Sequence, residues 1–346
     1  MPTKTKCPDD HIVVGIPSYN SEGTIARTLE NTLQQTHQAF QVIVYDDGST
    51  DTSPDIVKSF SDRDSRVVLH RNEVNRGRPQ ARNALLSLAS NAIIAWQDAD
   101  DLWHPSKLSR QVAFYDKMRH KTGHENFALV SSLERLEPLE GGEERGYLSR
   151  VLGQDYYGTL HPPSVYDVNY ICSDKYMSFP FYLQSTFARA AHFTDAGGFD
   201  DKMPWYEDLD MGLRLLRNGT QIFGLKNDFA LAYYYSGAPR LPPAVVKNCL
   251  LRIYRNNAAF MEKSGIDVSH DLRLRKLTLL FLGMIRKREF EAALHILAEE
   301  SEAAFRGGKL ERLYLANIDV LKNALLAAKS AALHAPQESE PVLVPA

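Results

Sequence analysis

Cysteine is scarce: Cys7, Cys172 and Cys249 are the three in 346 residues, and none forms a CxxC pair. An odd set of widely spaced thiols supports neither a disulfide framework nor a structural zinc site, and it points to a reducing, cytoplasmic setting. Long hydrophobic runs are missing too. No stretch approaches the roughly 18–20 apolar residues that span a bilayer, and the polar run from Met1 to Asp10 holds no apolar signal core, so neither an exported nor an integral protein is expected. Charge of one sign is not in excess. A formal net charge of −3 supplies no global basic field, which excludes nucleic acid as the expected partner. Two nucleotide cradles are also lacking: Pro17-Ser18-Tyr19-Asn20-Ser21-Glu22-Gly23 stands where GxGxxG would open the first helix, and no GxxxxGK[ST] occurs. A dinucleotide oxidoreductase thereby loses its main support. Any phosphate site here has to use acids and a metal in place of a glycine cradle.

What is present is an ordinary soluble composition, 44% hydrophobic and 24% charged, in a chain longer than the roughly 250–300 residues at which one core stops growing. A main domain plus an appendage is expected. Short apolar runs at Ile12–Ile16, Phe40–Tyr45, Val67–Leu69 and Ala92–Gln97 read as strands, and Thr24–Gln35, Pro54–Phe60 and Pro79–Ser90 as helices between them, with Ser53 as an N-cap. Strict alternation of strand and helix predicts an α/β fold with a mainly parallel central sheet flanked by helices. Ligands bind such sheets beyond the carboxyl ends of the strands. The polar clusters fall there: Pro17-Ser18-Tyr19-Asn20, Asp46-Asp47-Gly48-Ser49, and Asp98-Ala99-Asp100-Asp101.

Three carboxylates within four positions at the end of the fourth strand call for a positive partner. A hard divalent cation held by one or two carboxylates keeps coordination sites open for substrate phosphates. The competing reading is an Asp-rich turn that caps a helix running from about Ser106 to His120. Phe127–Ser132 and Gln184–Ala188 read as further strands. Between them Leu133 to Phe179 is long, irregular and rich in tyrosine, as an active-site flap would be. Trp205-Tyr206-Glu207-Asp208 then leads into a helix ending near Arg217, where Asn218-Gly219 supplies a stop, so Glu207 and Asp208 occupy its N-terminal rim.

Taken together, Pro17-Ser18-Tyr19-Asn20, Asp46-Asp47-Gly48-Ser49-Thr50-Asp51, Asn75-Arg76-Gly77, Ala81-Arg82-Asn83, Asp98-Ala99-Asp100-Asp101, Gly197-Gly198-Phe199-Asp200 and Glu207-Asp208 make this chain resemble the family-2 inverting glycosyltransferases of the GT-A fold. The resemblance runs from about Ile12 to Tyr235 and rests on several separated motifs. It implies transfer of a sugar from a nucleoside-diphosphate-sugar donor to an acceptor hydroxyl, with Mg²⁺ or Mn²⁺ as cofactor, in polysaccharide or glycoconjugate synthesis. It assigns Asp100 and Asp98 to the metal, with Asp98 also beside ribose and diphosphate. Pro17, Tyr19 and Asn20 fall to base and ribose, and Asp46 or Asp47 to a hydrogen bond with the base. Arg71 is a further donor-side candidate. Arg82 either contacts the donor, neutralises the acids or forms a structural ion pair. Asp208 is implied as the base, with Glu207 raising its pKa. Trp205 and Tyr206 are candidates for stacking on the acceptor sugar. The chain departs from the pattern in one place: Leu231 to Gly237 contains no histidine to complete the metal shell, which leaves His104 and His161 as substitutes.

The domain map expected from this reading is an extension over 1–10, a catalytic domain over 11–240, a helical region over 241–334 and a disordered tail over 335–346. The catalytic domain divides into a nucleotide-binding half, 11–104, and an acceptor-binding half, 105–240, with a flexible loop at 133–179. In the helical region, basic residues from Arg273 to Lys276 and Arg286 to Arg288 flank an apolar run. That pattern fits a helix packed on the domain or on a second copy as a homodimer, or a helix lying on the inner face of the cell membrane near a lipid-linked acceptor. A nucleotidyltransferase that makes sugar nucleotides and a non-catalytic nucleotide-sugar-binding or assembly protein are the alternatives. The former should carry Lys or Arg between Pro17 and Gly23, and none is there.

Overall fold

The computed structural model describes residues 11–138, 144–149, 181–225, 231–235, 242–263 and 326. The chain divides into two compact units, residues 1–168 with 177–264 and residues 169–176 with 265–346; all but one of the described residues belong to the first. Its strands are β1 (Ile12–Ser18), β2 (Gln41–Asp46), β3 (Val67–Arg71), β4 (Ile93–Trp96), β5 (Leu102–Trp103), β6 (Phe127–Ser131), β7 (Leu133–Pro138), β8 (Glu144–Ser149), β9 (Phe187–Arg189), β10 (Gln221–Leu225) and β11 (Ala232–Tyr235). The helices are α1 (Ile25–Leu33), α2 (Ser53–Ser61), α3 (Arg78–Leu88), α4 (Lys107–Thr122), α5 (Ala190–Asp195), α6 (Glu207–Arg217) and α7 (Pro243–Lys263).

A seven-stranded sheet runs in the order β10-β6-β9-β4-β1-β2-β3. All pairs are parallel except those of β9, which runs antiparallel to β4 and β6. The mainly parallel sheet expected from strand and helix alternation is therefore present, with one reversed strand. Strands covered on both faces must be apolar along their length. Val13, Val14 and Ile16 of β1, Val42 and Val44 of β2, and Ile93, Ile94 and Ala95 of β4 are accordingly at 4% exposure or less. A second sheet, β5-β11-β7-β8, holds two stretches that the sequence reading left inside an irregular loop. β7 and β8 pair antiparallel from Leu133↔Ser149 to Pro138↔Glu144. That corrects the flap expected over 133–179: its first part holds the paired strands β7 and β8, and residues 139–143 and 150–180 lie outside the described set.

Two further boundaries differ from expectation. Ser53 is the first residue of α2 and not its cap; its hydroxyl donates to Asp51 Oδ1 at 2.6 Å and accepts from the Ser21 N–H at 2.8 Å. Helix α7, placed by sequence at the head of the C-terminal appendage, belongs to the first unit. Arg217 on α6 donates to the Asn256 carbonyl at 2.7 Å, Asn257 donates to Asp210 at 3.1 Å, and Arg252 pairs with Asp200. Three polar bridges of this kind are what a helix docked on a domain shows, where a tethered appendage would show few. The basic-flanked run after 264 and the tail lie outside the described residues. Among the described residues no helix is long and apolar enough to cross a membrane.

Candidate active site at the carboxyl rim of the sheet

The loops after β1 and β2 are clamped to one another. The Asp47 N–H donates to the Ser18 carbonyl at 2.8 Å, the Asn20 N–H to Ser49 Oγ at 2.9 Å, and the Thr50 N–H to Asn20 Oδ1 at 2.9 Å. Asn20 holds a left-handed backbone, φ 47°, of the kind Asn tolerates better than most residues. Gly48 is forced: φ is +75° and a Cβ there would lie 2.7 Å from the Asn75 nitrogen. The outcome is a rigid ledge from which Tyr19, 48% exposed, projects a flat ring.

The acids of this ledge are spoken for. Asp46, 1% exposed, accepts from the Ser49 N–H and hydroxyl and pairs with Arg71 at 3.2 Å. Asp47, 3% exposed, accepts from the Arg76 and Gly77 N–H groups and from the Asn72 amide. A carboxylate offers about four lone-pair sites, so a nucleobase contact from either acid has to share an oxygen with these donors. Arg71 also donates to the Ser49 carbonyl at 2.9 Å, which makes it a brace of the same loop.

At the end of β4 the Asp101 N–H donates to the Asp98 carbonyl at 3.2 Å and closes a turn. This turn does not cap α4, which begins after Ser106; β5 lies between, and the capping reading of the triplet falls. The three carboxylates have separate surroundings. Asp101 is buried and pushed well above its ordinary range, first by burial and then by Asp98 and Asp100. Near it the fully buried Lys107 rests its ammonium 3.5 Å from the centre of the Trp103 ring. Burial also works to raise Asp98, but the Arg82 guanidinium overrides it and leaves the group below its usual value. Asp100 is exposed at the rim, and partial desolvation followed by the Asp98 charge holds it above the usual value.

Arg82 is the centre of the arrangement. Pro79, Ala81, Leu85 and Leu86 seat α3 in the core, and this same buried face carries Arg82, 3% exposed. Its Nη2 donates to Asp98 Oδ1 at 3.1 Å, and its Nη1 pairs with Glu207 Oε1. The acids ending β4 and the acids opening α6, more than 100 positions apart, are thereby joined through one side chain. Gln184, which the sequence reading missed, completes Asp98 by donating to Oδ2 at 2.6 Å. Sequence placed it in a strand over Gln184–Ala188; it sits instead in a 3₁₀ turn over Leu183–Ser185 ahead of β9.

Glu207 and Asp208 are the first two residues of α6, following Tyr206 at φ 60°. A bulky residue held left-handed stores strain, commonly at a functional position. Burial pushes the Asp208 carboxyl up to about 7, Glu207 adds to the rise, and Arg82 opposes it. Glu207 is 5% exposed and paired with Arg82 and, at 3.4 Å, Arg78, so it acts on Asp208 as a fixed charge. Of the two aromatics expected to stack on an acceptor, Tyr206 is only 8% exposed and its ring meets Trp205 edge-on at 6.3 Å. Trp205 alone keeps a partly open face. Among the described residues no group of three His, Cys, Asp or Glu could hold a metal. His104 directs Nδ1 to Ser106, and His161 lies outside the described set.

A mainly parallel α/β sheet thus carries, beyond its strand ends, two groups of acids bridged by the buried Arg82. Residues 13–122 match the model of glycosyl transferase family 2, and this stretch is similar to that family. The UDP-Glc:alpha-D-GlcNAc-diphosphoundecaprenol beta-1,3-glucosyltransferase WfgD of Escherichia coli is 36% identical over 125 residues, 36% of this chain and 49% of the relative. The succinoglycan biosynthesis protein ExoU of Rhizobium meliloti is 30% identical over 167 residues, 45% of this chain and 48% of the relative. The chain spans about half the length of these curated relatives. In fold it is similar to residues 1–349 of S. aureus TarS in complex with UDP, with a TM-score of 0.56 at 19% identity, over 93% of this chain and 91% of that one.

Proposed function

We propose that the chain is a metal-dependent inverting glycosyltransferase that moves a sugar from a nucleoside-diphosphate-sugar to an acceptor hydroxyl in polysaccharide or glycoconjugate synthesis. The observation that supports this reading is the Arg82 bridge, because one side chain joins Asp98 at the end of β4 to Glu207, the neighbour of the carboxyl whose pKa is raised. UDP is the favoured nucleotide, since a UDP-sugar stands in the name of the WfgD relative. The same name makes a lipid-linked saccharide the favoured acceptor class. In this reading Tyr19, half-exposed, stacks on the base, and Pro17 and Asn20 contact base and ribose; the exposure of Tyr19 and the Asn20–Thr50 bond support it.

A divalent cation would take Asp100 as its exposed ligand, since partial burial and then the Asp98 charge hold this carboxyl above its usual range. Asp98 would join it by yielding one of its present partners, with the remaining positions left to phosphate oxygens and water. When bound, such an ion acts as a Lewis acid on the departing diphosphate. The protein's own part is proton transfer and placement. Asp208 takes the proton of the acceptor hydroxyl as its oxygen bonds to the anomeric carbon, on the face opposite the breaking bond to the diphosphate. Trp205 offers the acceptor sugar an apolar face.

The test is hydrolysis and transfer with UDP-, GDP-, CDP- and TDP-sugars in Mn²⁺ and in EDTA. Turnover of a UDP-sugar that EDTA abolishes and added metal restores is the expected result; a chain that neither binds nor turns over any of them overturns the reading. The charge on Glu207 gives a second, finer expectation. Glu207→Gln removes a neighbour that raises Asp208, so the acid limb of kcat/KM moves to lower pH, by about one unit. A limb that stays in place or moves up removes Glu207 from the control of the base.

A further inference from the structure

Among the guanidiniums near these acids, Arg82 and Arg71 hold carboxylates or backbone of the site. Arg82 is buried with its terminal nitrogens on Asp98 and Glu207, and Arg71 braces Asp46 and the Ser49 carbonyl. Arg78 differs. It is 41% exposed, lies 3.4 Å from Glu207 Oε1, and makes no hydrogen bond among the described residues. Its guanidinium carbon sits 5.9 Å from the centre of the Trp205 ring. The backbone beneath it is fixed: Arg78 opens α3 behind Gly77, whose N–H donates to the buried Asp47 carboxylate at 2.7 Å, and Pro79 follows at once. A fixed backbone therefore carries a half-exposed side chain near both the β4 acids and the α6 acids, and its charge acts on Asp98, Asp100 and Asp208 alike.

We infer that Arg78 is a diphosphate-binding residue of this cleft, leaving its place beside Glu207 and Trp205 to grip the phosphates of the donor and of the departing nucleoside diphosphate. This rests on the donor reading above. Asp98, Asp100, Glu207 and Asp208 put four carboxylates around the cleft, so an anionic diphosphate needs more than the buried Arg82 to offset them. A guanidinium presents a planar fork that matches paired phosphate oxygens, and such charge-assisted contacts are the strong ones. Trp205 and Glu207 offer only a loose hold, a ring contact at 5.9 Å and a distance of 3.4 Å, too long for a good hydrogen bond.

The experiment is calorimetric titration of the full chain with UDP and with UMP, in Mn²⁺, for the wild type, Arg78→Ala and Arg78→Lys. The wild type is expected to prefer UDP. Arg78→Ala should weaken UDP by roughly 10- to 100-fold, as loss of a charged hydrogen-bonded contact does, while UMP changes by less than about threefold and the unfolding midpoint holds. Arg78→Lys should recover part of the loss, because the charge returns without the fork. Unchanged UDP binding in Arg78→Ala overturns the assignment and leaves the donor reading standing. Equal weakening of UDP and UMP overturns it too, since the effect would then lie with the nucleoside or the fold. A wild type that binds none of UDP, GDP, CDP and TDP overturns the donor reading itself, and this inference with it.

Discussion

Asp208→Asn is expected to lower transfer by roughly 100- to 10,000-fold, the range for loss of a positioned general base, while UDP binding stays within about threefold of wild type. The split follows from the chain: Asp208 is the second residue of α6, with one oxygen taking the Leu209 N–H at 2.8 Å, on a different element from Asp100 and the ledge. Stability should move the other way. A carboxyl raised in the folded state binds its proton more tightly there, so wild-type stability is lost as pH rises from the unfolded carboxylate range towards about 7. Asparagine carries no such loss. The thermal midpoint of the variant should match wild type near pH 4 and equal or exceed it at pH 8, as is common where a site is strained for function. Transfer at more than a tenth of the wild-type rate would remove Asp208 as the base.

The polar rim that carries this prediction was legible in sequence for a physical reason. Strands buried on both faces have to be continuous apolar runs, and β1, β2 and β4 show it at once, so whatever follows each run lies at the same edge of the sheet. That reasoning pointed to Asp46, Asp47, Asp98 and Asp100 without any knowledge of distance, whereas Glu207 and Asp208 stand out by their place at a helix start and by the family resemblance. Reading strands from apolar runs failed where pattern is weak. β7 and β8, LERLEP and ERGYLS, are too charged to announce themselves, and β9 is three residues long. Arg78 and Gln184 escaped because a polar residue at the start of a helix and one in a short turn before a strand look the same in sequence whether or not they lie near the acids. Arg82 was named with its role open between donor contact, charge neutralisation and an ion pair, and its partners Glu207 and Asp98 favour the second and third. No local spacing could have decided that, since the bond to Glu207 spans 125 positions.

Arg82→Met should be the most damaging change to the fold of the site. Methionine fills much of the same space but leaves Asp98 with Gln184 alone and Glu207 with the half-exposed Arg78. Removing one partner of a buried charged network costs about 3–5 kcal/mol, which for a chain of this size lowers the unfolding midpoint by about 10 °C. Donor turnover should be lost with it, because two like charges now face each other where one cation held them. The sign of the pH dependence is fixed by Asp98. Its folded pKa is depressed, so the stability it contributes is present in full above the unfolded carboxylate range and is lost as pH falls through the folded value. The deficit of Arg82→Met is therefore largest near neutral pH and narrows below about pH 4. A double variant, Arg82→Met with Glu207→Gln, should recover part of the midpoint, since one uncompensated charge is gone and residues in direct contact do not act additively. A deficit that is constant from pH 4 to pH 8, with no recovery in the double variant, would show that Arg82 stabilises the protein by packing and not by holding the two acids together.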